Sequence, residues 1–168
     1  MFISFEGLDS SGKTTQANLL VQACQNEGQD VVFLREPGGT EVSERIRSIL
    51  LDKEQSALSP GTELLLFSAA RAQLVHQVIC PALRTGKIVV CDRFFDSTTA
   101  YQGYGRGLDI NDVQSLNRIA TSGTLPDLTF FVDVDLKEIQ RRRKTLGIIA
   151  DRMASSGEQF YRNVLEGY

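Results

Sequence analysis

Four short apolar runs separated by longer amphipathic stretches predict an α/β protein with a parallel central sheet for this chain of 168 residues. A glycine-rich stretch, EGLDSSGKTT at residues 6–15, falls between the first apolar run and the first amphipathic stretch, where a strand-to-helix turn belongs. The length suits one domain over residues 1–168, and no Pro-, Gly- or Ser-rich linker divides it.

Each element has its own signal. The first strand is expected at 1–6 (MFISFE), and a helix over 13–27 carries Leu19, Leu20 and Ala23 at helical spacing before Gly28. A second strand at 31–35 (VVFLR) precedes a helix at about 41–51 carrying Val42, Arg45, Ile46, Ile49 and Leu50. Ser59-Pro60 reads as an N-cap followed by proline at the first helical position, opening a third helix that Pro81 is expected to disturb. KIVVCD at 87–92 is the third strand and LTFFVDV at 128–134 the fourth, with further helices near 96–103, 109–121, 136–144 and 155–166. There is no internal repeat and no low-complexity tract.

Composition narrows the function classes. A formal net charge of -3 gives no reason to expect nucleic acid, so a phosphate ligand must be met by a local basic site. MFISFEG lacks a basic leader region and no apolar window is as long as a membrane span, which predicts a cytoplasmic protein without membrane partners. Cys24, Cys80 and Cys91 share no metal-ligand or redox spacing and are expected as reduced thiols, and the single His76 suggests no metal cluster.

Gly7-Leu8-Asp9-Ser10-Ser11-Gly12-Lys13-Thr14 fits G-x-x-x-x-G-K-[ST], followed by Thr15. Glycine lets successive N–H groups turn toward an anion, the following helix adds its N-terminal partial charge, and Lys13 adds a full one. Gly7 through Thr15 are therefore the expected phosphate-binding residues for a nucleoside triphosphate, with Thr14 as a Mg²⁺ ligand. The second metal ligand should be an acid at the carboxyl end of a strand, for which the chain offers Asp92 and Asp133. Asp92 takes the assignment because Arg93, whose planar fork suits phosphate oxygens, follows it; Asp133 is read as a strand-end or capping group.

Four segments in order, FEGLDSSGKTT, LREPGGTE, LLFSAARAQ and DRFFDSTTAYQGYGRG, resemble the thymidylate kinase (dTMP kinase) family along nearly the whole chain. The resemblance implies a P-loop NTPase fold of the nucleoside monophosphate kinase kind, a three-layer sandwich with a parallel central sheet. It also implies transfer of the ATP γ-phosphoryl group to dTMP with Mg²⁺, and a homodimer. Relatives continue through another strand and a terminal helix beyond FYRNVLEGY, so those two elements are expected to be missing here.

Residue by residue, the resemblance puts Phe67 and Arg71, four apart on one helix face, on the thymine, the ring stacking and the guanidinium donating to a carbonyl. It places Ser97 or Thr98 at the polar edge of the base, Tyr101 against the sugar where it would reject ribonucleotides, and Gln102 as an added polar contact. Asp9 matches an acid that reaches the sugar 3′-hydroxyl, while Arg35 and Glu36 shape the acceptor side. Lys13, Asp92 and Arg93 are then the expected catalytic group, with one mobile arginine still to be found. The phosphate loop holds no arginine, so the resemblance points to the lid-arginine (bacterial-like) type, with a lid at about 141–152 and Arg143 or Arg152 as the catalytic residue. Two other readings stand beside it: a P-loop kinase for another deoxynucleotide or a deoxynucleoside, and an ATPase switch. Against a GTPase stands the lack of Asn-Lys-x-Asp, and against a partitioning ATPase the lack of a second loop lysine.

Overall fold

The computed structural model describes residues 1–55, 57–145, 147, 152–153 and 156–168. Four parallel strands, β1 (Phe2–Glu6), β2 (Val31–Arg35), β3 (Ile88–Asp92) and β4 (Leu128–Phe131), lie in the order β2-β3-β1-β4. Register is set by Ile3 opposite Val90 and Leu128, and by Phe33 opposite Val90. Side chains of a strand alternate between faces, so β3 sends Val89 and Cys91 to one layer and Val90 to the other. On the first face these pack with Phe2, Leu34, Leu74, Val75, Ile79 and Phe94; on the second, Val90 packs with Ile3, Phe5, Ala17 and Val21.

The helices α1 (Lys13–Asn26), α2 (Glu41–Leu51), α3 (Pro60–Leu74), α4 (Cys80–Arg84), α5 (Phe95–Thr98), α6 (Ile110–Thr121), α7 (Leu136–Thr145) and α8 (Gly157–Gly167) complete the layers. Their starts follow from local chemistry. Thr40 accepts from the Ser43 N–H, Ser59 from the Thr62 N–H, and Asp109 from the Asn111 N–H, each replacing a bond the first turn cannot make within the helix.

Pro81 does not end the third helix. A π-helical stretch, Val75–Ile79, joins α3 to α4, and its wider turn carries the chain past a residue that has no N–H to donate. The combined helix Pro60–Arg84 holds an 18-residue window of mean hydropathy 1.2, long and apolar enough to cross a membrane by composition, yet Leu74, Val75 and Ile79 are buried against the sheet. A second π-helical stretch, Thr99–Gly105, continues α5 where an ordinary helix over 96–103 is expected. β4 ends at Phe131, three residues short of its expected bound, although the Val132 N–H still donates to the Glu6 carbonyl. A third core cluster, including Leu8, Tyr101, Ile139, Phe160, Tyr161 and Val164, seats α7 and α8 beside the glycine-rich loop.

Candidate active site

Because the strands are parallel, the carboxyl ends of β1, β2 and β3 deliver Asp9, Glu36 and Asp92 to the same edge of the sheet. A cavity of about 510 Å³ opens there, bounded by the glycine-rich loop, Glu36, Phe67, Arg71, Tyr101 and Gln102, with Arg142 at the lid side.

The loop uses left-handed backbone at Gly7 (φ 133°), Ser10 (φ 69°) and Gly12 (φ 105°). Gly7 is required twice over, since a Cβ would meet the Val132 carbonyl oxygen at 2.6 Å. No side chain caps the N-terminus of α1, which leaves its amides to an anion. The Lys13 Nζ donates to the Leu8 carbonyl at 2.7 Å. Burial, then the charge of Arg93, pulls the Lys13 ammonium down to about 7, against the opposing pull of Asp9 and Asp92. The Thr14 hydroxyl donates to the Asp92 carboxylate at 2.5 Å, bringing together the hydroxyl and carboxylate oxygens expected as metal ligands. Asp133 has no such link to the loop among the hydrogen bonds of the described residues.

Arg93 sits at φ 75°, a conformation a non-glycine residue adopts only when its surroundings enforce it. Its guanidinium donates to Asp9 Oδ1 at 2.6 Å, to Ser97 Oγ at 2.8 Å, to the Tyr168 hydroxyl at 3.1 Å and to the Tyr101 hydroxyl at 3.3 Å. Burial opposes ionisation of Asp9, but Arg93 and Lys13 outweigh it and hold the carboxyl down at about 2.

On the side that the family resemblance leads one to expect for the acceptor, Arg71 is 2% exposed and its Nε donates to Glu36 Oε2 at 2.7 Å. Burial pushes the Glu36 carboxyl up to about 7 in spite of that partner. The other Glu36 oxygen is buried and has no hydrogen-bond partner among the described residues. Phe67 belongs to none of the core clusters and borders the cavity with Thr98, Tyr101 and Gln102. The amide of Gln102 donates to Glu63 Oε1 at 2.7 Å. Arg35 stands at the rim, paired with Glu44 at 3.2 Å.

The basic segment does not act as one unit. Residues 141–145 belong to α7, while 146 and 148–151 of the expected lid lie outside the described residues. Arg143 stacks on the Tyr161 ring at 5.0 Å and comes within 3.9 Å of Asp9, close to the loop. Arg152 points elsewhere, to Glu63 Oε2 at 2.6 Å and to the Leu50 carbonyl at 2.8 Å. Arg142 reaches the loop directly, its Nη1 donating to the Ser11 carbonyl at 2.8 Å while its Nε donates to Glu138.

Sequence reasoning missed Glu6. It is 1% exposed and accepts from the Phe94 N–H at 2.7 Å, the Ser97 hydroxyl at 2.5 Å and the Tyr168 hydroxyl at 3.1 Å, and burial raises its carboxyl above the usual range. An acid closing an apolar strand just before the loop was the available signal.

A family model described as "Thymidylate kinase" matches residues 5–168. A thymidylate kinase of Chlorobium luteolum is 52% identical over 176 aligned residues, covering 100% of this chain and 82% of that protein. One of Pelotomaculum thermopropionicum is 53% identical, over 99% of this chain and 77% of its own. Among solved structures, a thymidylate kinase from Ehrlichia chaffeensis superposes with a TM-score of 0.76 at 45% identity, covering 86% of this chain and 82% of its own.

Proposed function

Because the chain belongs to the thymidylate kinase family, we propose that it transfers the γ-phosphoryl group of ATP to dTMP, giving dTDP and ADP. The observation that carries this reading is one cavity with two chemically distinct walls: Lys13 and Asp92 on one, and Phe67, Arg71 and Tyr101 on the other. Phosphoryl transfer asks the protein for in-line positioning and positive charge, with little covalent work. The loop amides and Lys13 hold the donor phosphates, and Arg93, which reaches Asp9, Ser97 and Tyr101 together, serves the transferred group and the acceptor phosphate. Of Arg143 and Arg152, the two lid arginines expected to act, Arg143 is the one that approaches Asp9.

Thr14 and Asp92 are the residues that would hold Mg²⁺. Their hard oxygen donors, already 2.5 Å apart, suit an ion that takes its remaining ligands from phosphate and water. When bound, Mg²⁺ supplies charge neutralisation at the phosphate oxygens. Among the described residues no group of three or more His, Cys, Asp or Glu could hold a metal ion by itself.

On the acceptor side, Phe67 stacks on thymine, Arg71 donates to a ring carbonyl, and Ser97 or Thr98 meets the polar edge. Tyr101 stands where a ribose 2′-hydroxyl would lie, Asp9 reaches the 3′-hydroxyl, and Gln102, Arg35 and Glu36 complete the wall. The protein acts as a homodimer in the cytoplasm, as its family resemblance implies.

ADP release from MgATP, measured without acceptor and then with dTMP, dUMP, dCMP, UMP and thymidine, tests the reading. Turnover should depend on the acceptor and be greatest with dTMP. Release indifferent to every acceptor would favour the switch, and preference for thymidine a nucleoside kinase.

A further inference from the structure

Asn117, in α6, is 5% exposed and borders no part of the cavity, yet both ends of its amide are engaged behind it. Its Oδ1 accepts from Arg71 Nη1 at 3.2 Å, and its Nδ2 donates to Thr99 Oγ1 at 3.1 Å and to the Phe95 carbonyl at 3.4 Å. The orientation of the amide is forced, because a guanidinium can only donate and a backbone carbonyl can only accept.

Arg71 is thus fixed at three points from three parts of the chain. Its Nε donates to Glu36, its Nη1 to Asn117 and its Nη2 to the Phe94 carbonyl at 3.2 Å, so each terminal nitrogen keeps one hydrogen for a ligand. The direction of those two hydrogens follows from the guanidinium plane. Of the three anchors, only Asn117 also grips the π-helical turn that carries Tyr101 and Gln102.

We propose that Asn117 is a positioning residue for base selection: it holds the Arg71 guanidinium and the Thr99–Gly105 turn in one register, favouring a pyrimidine with a carbonyl, not an amino group, where Arg71 points. The inference rests on the reading that Arg71 meets the base of dTMP. Without the Oδ1 acceptor, Arg71 keeps its charge and its Glu36 partner but loses one fixed point. Base recognition should suffer while donor binding should not.

The test compares Asn117→Leu, which removes donor and acceptor while keeping the branch at Cγ, with Asn117→Asp, which keeps an acceptor for Arg71. For Asn117→Leu, KM for dTMP should rise about tenfold, the size expected for one hydrogen bond to a charged group. The preference for dTMP over dCMP should fall by a similar factor, with kcat and KM for ATP within about twofold of the parent. Asn117→Asp should recover most of the dTMP loss. If Asn117→Leu does not fold, Asn117→Ala takes its place with the same expectations. A purely structural role would lower the melting temperature and leave the dTMP/dCMP preference intact, or raise both KM values together, and either outcome would overturn the proposal. Calorimetric titration of the parent protein with dTMP separates the two failures. No dTMP binding would remove the underlying reading and this inference with it, whereas binding that Asn117→Leu leaves unchanged would remove the inference alone.

Discussion

Arg71 and Arg142 face the same cavity, but they are held in opposite ways. Arg71 is 2% exposed and is clasped by Glu36, Asn117 and the Phe94 carbonyl, groups from three separate parts of the chain. Arg142 keeps 36% of its side chain exposed and is held by Glu138, one turn back on its own helix, and by carbonyls of the phosphate loop. The acceptor wall is therefore assembled by folding itself, since a buried charge tolerates few alternatives to its partner. The charge partner of Arg142, by contrast, forms with it a partly exposed pair within one helix, whose contribution to stability is small and screened by salt. Base selection would then be built in, and donor capture left to a more adjustable surface.

Arg93 joins the two sides, and removing it should have the largest effect. Arg93→Ala should lower kcat by about 10³-fold or more, the range of an arginine serving a transferred phosphoryl group, as read by ADP release. A loss under tenfold would mean that the two walls act without it. Next in size is the contrast between the two carboxylate partners. Glu36→Ala strands a buried guanidinium and should cost about 3–5 kcal/mol in urea unfolding, whereas Glu138→Ala should not move the midpoint measurably. Equal effects would erase the distinction between a prebuilt wall and an adjustable one.

Arg142→Ala should raise KM for ATP by up to about tenfold through its grip on the loop carbonyls, with KM for dTMP unchanged. The smallest effect concerns protons. Lys13 lies near 7 in the free protein, and donor phosphates favour its charged form, so ATP binding near pH 8 should take up a proton. Between pH 7 and 8 affinity should fall by about fivefold as free Lys13 loses its proton. Calorimetry in two buffers of different ionisation enthalpy would detect the uptake, and no buffer dependence would contradict it.

What could be read from sequence was local. The strand–loop–helix context of Lys13 and Thr14 lies within a few residues, and Asp92-Arg93 closes an apolar run, so the structure finds Lys13 and Thr14 opening α1 and Asp92 closing β3. Phe67 and Arg71 share a helix face by spacing, although only the family resemblance assigned the Phe67 ring to a base instead of the core. The partners of Glu6, Glu63 and Asn117 were illegible because they lie 91, 39 and 46 residues away and meet these residues only through packing. The π-helical turns at Val75–Ile79 and Thr99–Gly105 also have no simple apolar period to betray them. For the lid, the basic run gave the segment but not the separate directions of Arg142, Arg143 and Arg152, which are set by α7, Tyr161 and Glu63.

If the two walls of the cavity act together, they bring a donor phosphate to a thymidine monophosphate. Following the label from ATP carrying a radioactive γ-phosphate, with dTMP present, tests it most directly. Labelled dTDP should form in step with ADP; label released as inorganic phosphate, with dTMP unchanged, would mean that the two walls do not serve phosphoryl transfer.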